Sequence, residues 1–181
     1  MGLEIQTERL VLRVPRLEDA EPALALLTDP VAMGFLGGVH PNAASDPEFA
    51  VRRWLERWDA NDCGPFMLVR REDGRWLGRC GVLVWDSRTW THTTFAQAGG
   101  FAQPELGWAL ASEHWGRGYA TEAARAVRDW AYRDRGFEQL ISLIGAANVR
   151  SQRVAERLGA SPGETVELFD NSPHVVWEHP R

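Results

Sequence analysis

The segment Trp115-Gly116-Arg117-Gly118-Tyr119-Ala120 constrains this chain more than any other. It follows a strand-like run, Glu105 to Ala111, and opens the strongest helical pattern in the sequence, Arg117 to Arg135. Ala120, Ala123, Ala124, Val127, Trp130 and Ala131 form the apolar stripe of that helix. Glycines in a strand-to-helix turn let the main chain approach a ligand closely. The first-turn N–H groups of a helix have no partners within it and lie at the positive end of the helix dipole, so an anion there satisfies several donors together. The segment therefore predicts a phosphate cradle, with Arg117 as an added charge. The competing reading is a turn that merely reverses the chain. A triphosphate loop would need a longer glycine run ending in Lys and Ser or Thr, and a dinucleotide site would need a third glycine with a downstream acidic strand end. Neither is present.

The remaining elements follow from periodicity. Leu10 to Val14 alternates as a strand, and Glu18 to Leu27 has helical spacing with Pro22 near its start. Asp29, Pro30 and glycines 34, 37 and 38 predict a connector before a second helix from Pro47 to Asp59. Phe66 to Arg70 and Trp76 to Trp85 flank Glu72-Asp73-Gly74 and predict an antiparallel hairpin. Asp86 to Gln103 has no stable period and predicts a long loop with at most a short irregular strand. Leu140 to Ala146 is a strand. Asn148 then caps a helix carrying Ser151, Val154, Ala155 and Leu158, which Gly159 ends. Glu164 to Phe169 and His174 to Trp177 flank residues Asp170 to Pro173 as a closing hairpin.

At 181 residues, with 44% hydrophobic and 25% charged residues, the chain suits a single folded domain spanning 1–181. A formal charge of -5 disfavours a nucleic-acid partner. No stretch has the length or apolarity of a membrane span or export signal, and Cys63 and Cys80 offer neither a disulfide framework nor a metal-ligand spacing. These features predict a reduced cytoplasmic location, no membrane association and no metal. Nine tryptophans are expected in the core or at interfaces, with Trp54 and Trp58 the pair best spaced for a ligand. Dimerisation through the C-terminal strands or a tryptophan-rich surface is compatible with the sequence.

The glycine segment resembles motif A of the GNAT acetyltransferases, in which Gln or Arg, two residues, Gly, one residue and Gly or Ala follow in order. Gly118 and Ala120 match it, and Trp115 stands at the Gln/Arg position. Glu105-Leu106-Gly107-Trp108 followed by Trp115 to Ala123, and the opening Thr7-Glu8-Arg9-Leu10-Val11-Leu12-Arg13, resemble the RimJ/RimL-type branch. The resemblance covers nearly the whole chain except Asp86 to Gln103, expected to be idiosyncratic and to face the acceptor. It implies an α/β (α+β) GNAT fold: a mixed central sheet of about six to seven strands with about four helices. In that fold the strand of Glu105–Ala111 splays from that of Leu140–Ala146.

The same resemblance implies acetyl-CoA as co-substrate, its pantetheine arm on the main chain of Trp108, Ala109 and Leu110. Its pyrophosphate is expected on Gly116, Arg117, Gly118, Tyr119, Ala120 and Thr121, with Asn148 contacting the arm. A strand amide would stabilise the tetrahedral oxyanion formed as a primary amine, from a protein N-terminus or a small molecule, attacks directly. Glu105 is the candidate base, with His114 and His40 as alternatives. A Tyr on the last long helix protonates the thiolate in many relatives. Ala155 occupies that position here, and Ser151, one turn earlier on the same face, is the substitute donor. Glu4, Glu48, Glu56, Asp59 and Asp62 form either an acidic acceptor rim or an ordinary solvated face. The functional alternative is an acyl-CoA-binding sensor or scaffold without turnover.

Overall fold

The apolar runs pair into one sheet. A computed structural model describes every residue except Met1, His40, Ala43, Ala44, Pro47, Phe169, Asp170 and Asn171. Among the described residues nine strands occur: β1 (Glu4–Gln6), β2 (Leu10–Arg13), β3 (Pro65–Arg70), β4 (Trp76–Asp86), β5 (Thr91–His92), β6 (Ala102–Leu110), β7 (Ile141–Gly145), β8 (Ser161–Leu168) and β9 (Ser172–Glu178). Their order is β1-β2-β3-β4-β6-β7-β9-β8, with β5 beside β4. Every pairing is antiparallel except β6 with β7. The helices are α1 (Ala20–Leu27), α2 (Pro30–Met33), α3 (Glu48–Asn61), α4 (Phe95–Ala98), α5 (Tyr119–Arg133) and α6 (Val149–Arg157).

Helix α5 covers one face of the sheet. Its Ala123, Ala124, Val127, Trp130 and Ala131 pack on Leu10, Leu12, Phe66, Leu68, Cys80, Val82 and Leu106. Small residues on a helix let it approach a sheet closely, so this contact is dense and dry. Helices α1 and α3 cover the other face through Ala23, Leu26, Val51 and Trp54 against Met67, Trp76 and Ala109. Trp58 turns instead into the α5 core, its indole donating to Pro65 O at 2.9 Å, so Trp54 and Trp58 serve packing and form no shared ligand site.

The mixed sheet is as expected, but it is larger. Strand β1 has no apolar alternation to reveal it, being an exposed edge of three residues. The connector after α1 contains α2, because Asp29 accepts from the N–H of Val31 and Ala32 and Pro30 takes the first helical position. Within the expected loop 86–103, β4 runs on to Asp86, β5 pairs with it, Thr94 caps α4, and β6 starts at Ala102. The short strand is thus present but the structureless loop is not. Strand β8 begins at Ser161, ahead of the expected Glu164, with a register shift between Pro162 and Thr165. Helix α5 starts at Tyr119, and Tyr119 takes the buried place expected of Ala120. The start of the second helix at Pro47, the hairpin residues Phe169, Asp170 and Asn171, and His40 lie outside the described residues.

Candidate active site

The parallel contact of β6 with β7 is confined to Glu105 opposite Ile141. Beyond it the Ser142 hydroxyl donates to Leu106 O at 2.5 Å, and β6 then continues to Leu110 without a register partner on this side. Alternation decides which groups enter the resulting gap. Leu106 O faces β7, and Leu110 O accepts the Trp115 indole N–H at 2.8 Å, whereas Ala111 N donates to Leu77 O on the β4 side. The even-numbered residues therefore turn their main chain to the gap, which leaves the Trp108 N–H and C=O and the Leu110 N–H there. Ala109 turns its main chain to β4, opposite Arg79, and lines the gap by its methyl group instead.

The glycine turn closes one end. Gly116 and Gly118 have φ of +75° and +82°, and Gly118 stands at the N-terminus of α5 with no side-chain cap. Trp115 N donates to Ser112 O and Glu122 N to Gly118 O, but among the described residues the N–H groups from Gly116 to Thr121 have no protein acceptor. The Thr121 hydroxyl is buried without a partner, although a buried hydroxyl normally has one. Gly116, Gly118, Tyr119, Ala120 and Thr121 line a cavity of about 310 Å³ with Trp108, Leu110, Asn148 and Ser151. Arg117 does not line it. The positive rim comes from Arg150, Arg153 and Arg157 at helical spacing on α6, none of which has an ion pair among the described residues. Arg150 stacks on the Trp115 ring at 4.7 Å. A donor set of free amides, an orphan hydroxyl and unpaired arginines fits a diphosphate.

The turn is held from the N-terminal end of the chain. The Glu122 carboxylate accepts from Thr7 Oγ1 at 2.6 Å, Arg9 N at 2.9 Å and Arg9 Nε at 2.7 Å. Arg9 Nη1 also donates to Arg117 O at 2.9 Å, and its guanidinium lies 4.6 Å from the Tyr119 ring centroid. The segment Thr7-Glu8-Arg9 thus has a physical task that sequence alone did not disclose, because its partner lies 113 residues away.

A second cavity, of about 170 Å³, shares Phe35, Leu36, Trp108, Asn148 and Ser151 with the first. Glu105 is buried in its wall, with Oε2 accepting the Trp85 indole N–H at 2.8 Å. Burial pushes this carboxyl above its ordinary range, and Trp85 and the charges of Arg79 and Arg57 pull it back only in part. Gly107 makes room for it, since a Cβ there would meet Glu105 Oε1 at 3.3 Å. Asn148 lines the cavity, and its side-chain oxygen caps α6 by accepting from Ser151 N at 3.1 Å, while its NH₂ has no protein acceptor among the described residues. The Ser151 hydroxyl lines both cavities and has no protein hydrogen bond among the described residues. Ala155 is fully buried against Ile144, Ala160 and Trp177. His114 borders the glycine turn and not the Glu105 cavity, and burial lowers its pKa.

Among the described residues no cluster of His, Cys, Asp and Glu could hold a metal ion, and no helix is long and apolar enough to cross a membrane. Residues 9–161 match the family model described as "Acetyltransferase (GNAT) domain". The chain is 29% identical over 180 residues to the uncharacterized protein YkkB of Bacillus subtilis (strain 168), covering 97% of this chain and 94% of that one. It is similar in structure to a putative GnaT-family acetyltransferase from Bordetella pertussis, with TM-score 0.78, 28% identity, and 98% and 99% of the two chains covered. An acetyltransferase from Agrobacterium tumefaciens str. C58 gives TM-score 0.79 at 27% identity over 100% and 96%. A RimL ribosomal L7/L12 α-N-protein acetyltransferase shares the fold at TM-score 0.75 and 14% identity. The splayed sheet, the glycine turn and these matches together place the chain in the GNAT acetyltransferase family.

Proposed function

We propose that the protein transfers an acetyl group from acetyl-CoA to a primary amine by direct attack. The observation that carries this reading is the run of free amides from Gly116 to Thr121, with the orphan Thr121 hydroxyl, at the end of the β6–β7 gap. In this reading the diphosphate lies on those amides, and Arg150, Arg153 and Arg157 screen its charge. The pantetheine arm pairs with Trp108 and Leu110 as an added strand, as extended ligands do on an open sheet edge, and the Asn148 NH₂ donates to it.

An alkylammonium has a pKa of roughly 10, so its proton must leave before attack. Glu105 faces the acceptor cavity with a raised pKa, which makes it a stronger base than an exposed carboxylate. Glu105 takes the ammonium proton, directly or through one water, the neutral nitrogen then bonds to the thioester carbonyl carbon, and the second proton leaves the nitrogen of the tetrahedral adduct to solvent water. The C–S bond then breaks, and the departing thiolate takes a proton supplied through the Ser151 hydroxyl from solvent. A free strand amide of β6 stabilises the oxyanion between these steps.

The test is thiol release from acetyl-CoA with a panel of primary amines. Release above the enzyme-free rate for at least one amine supports transfer. CoA binding with no release on any amine would favour a sensor that kept the donor cleft.

A further inference from the structure

The acceptor cavity carries one acid and one guanidinium, Glu105 and Arg79, which neither hydrogen-bond nor ion-pair with each other among the described residues. Arg79 lies on β4 between buried Gly78 and Cys80 and lines this cavity with Glu105, Trp85 and His92. Among the described residues it has neither hydrogen bond nor ion pair, only the Trp54 ring at 5.8 Å. Arg57 is also half-buried and without such a partner. It lines an adjoining cavity of about 240 Å³ that shares Leu83 and His92 with the acceptor cavity. Burial, with the charges of Arg79 and Arg53, pushes the Arg57 guanidinium down to about 10. The charges of Glu105 and, for Arg57, Glu56 relieve this only in part, and among the described residues neither carboxylate is hydrogen-bonded to either guanidinium. Glu56 is engaged by Arg53 at 3.1 Å, and Glu105 is committed to the Trp85 indole.

Of the acidic residues considered from sequence, Glu48 pairs with Arg52 at 2.8 Å and Asp62 with Arg135 at 2.7 Å. An unpaired, partly desolvated guanidinium is costly, and the group that best relieves it is a carboxylate held by two parallel N–H bonds.

Resting on the acetyl-transfer reading above, we infer that the acceptor is a small amino acid, its amine at Glu105 and its carboxylate on Arg79, with Arg57 adding attraction from behind. The chemistry is zwitterionic: one buried acid for the ammonium, two arginines for the acid group. A free amino acid is the smallest acceptor that carries both of these groups.

The test measures thiol release by the full-length protein at saturating acetyl-CoA with matched acceptors: amino acids, their amides, their decarboxylated amines, diamines, and peptides with acidic N-terminal residues. An amide retains the amine but loses the carboxylate, and its amine is more often neutral, so chemistry alone would favour it. The inference expects kcat/KM at least about tenfold higher for the acid than for its amide, a discrimination typical of a lost charged contact. In Arg79→Gln that ratio should collapse through KM, and Arg79→Lys should restore part of it. CoA titration serves as the folding control, and the wild-type acid-to-amide ratio stands even if the variant fails to fold. Amides or diamines turned over as well as amino acids would overturn the inference while leaving acetyl transfer intact. Preference for acidic peptides would overturn the small-molecule assignment. No release on any amine would remove the acetyl-transfer reading itself.

Discussion

The Arg9 guanidinium and the Glu122 carboxylate, 2.6 Å apart, tie the approach to β2 to the first turn of α5. Arg9 reaches past Glu122 to the Arg117 carbonyl, so the pair sets the path of the glycine turn as well as the helix start. Glu122→Gln is expected to weaken CoA binding several-fold through loss of turn order. Because the pair is partly exposed, its loss should lower stability by only about 1 kcal/mol, or about 2–4 °C in Tm. Burial alone would raise the Glu122 pKa, but the hydrogen bonds from Thr7 and Arg9 outweigh it and hold the pKa below its ordinary value. A depressed carboxylate contributes stability above its unfolded pKa and loses it as pH falls. The Tm difference between wild type and variant, followed by thermal denaturation, should therefore shrink below about pH 4.

Glu105 has the opposite sign. Its folded pKa is raised, so keeping it ionised destabilises the fold at every pH above the ordinary carboxylate value. Glu105→Gln should raise Tm by a few degrees at neutral pH, with the gain fading as pH falls toward about 4. It should also lower kcat by about 10² or more, as loss of a general base does. A variant less stable and fully active would contradict both assignments. The wild-type rate should fall on the acid side at a pH above the usual carboxylate range.

Gly118 has a positive φ, and a Cβ there would meet Arg9 Nη2 at 3.3 Å. Gly118→Val combines this contact with left-handed backbone strain of about 1–2 kcal/mol. Titration calorimetry should show CoA affinity reduced by about tenfold or more.

Ser151→Ala should lower kcat by about tenfold with CoA affinity nearly unchanged, since the hydroxyl has no structural hydrogen bond to lose. Installing the tyrosine that the family resemblance implies in place of Ala155 should not compensate. Ala155 has no exposed surface, so Ala155→Tyr overfills the contact with Ile144, Ala160 and Trp177 and should destabilise by at least about 1–3 kcal/mol.

What was legible in the sequence follows from range. The α5 stripe and the β3–β4 hairpin show in local periodicity, and the hairpin turn closes on Gly74 at a φ of +72°. The glycine turn and the Asn148 cap are local too. The segment 86–103 was opaque because its order comes from pairing with β4 and from single caps such as Thr94, which leave no period. The main chain of Ala109 could not be assigned before the β6 register was known. Arg79 was hidden because it sits alone in a run of apolar and glycine residues, and its meaning depends on Arg57 and Glu105 from other elements.

The most direct test follows backbone amide resonances while CoA is titrated into the protein. Gly116, Gly118 and Thr121, together with Trp108 and Leu110, should shift and gain protection from hydrogen exchange as the site saturates. CoA that binds while these amides stay unperturbed, or that does not bind, would contradict the donor site described here.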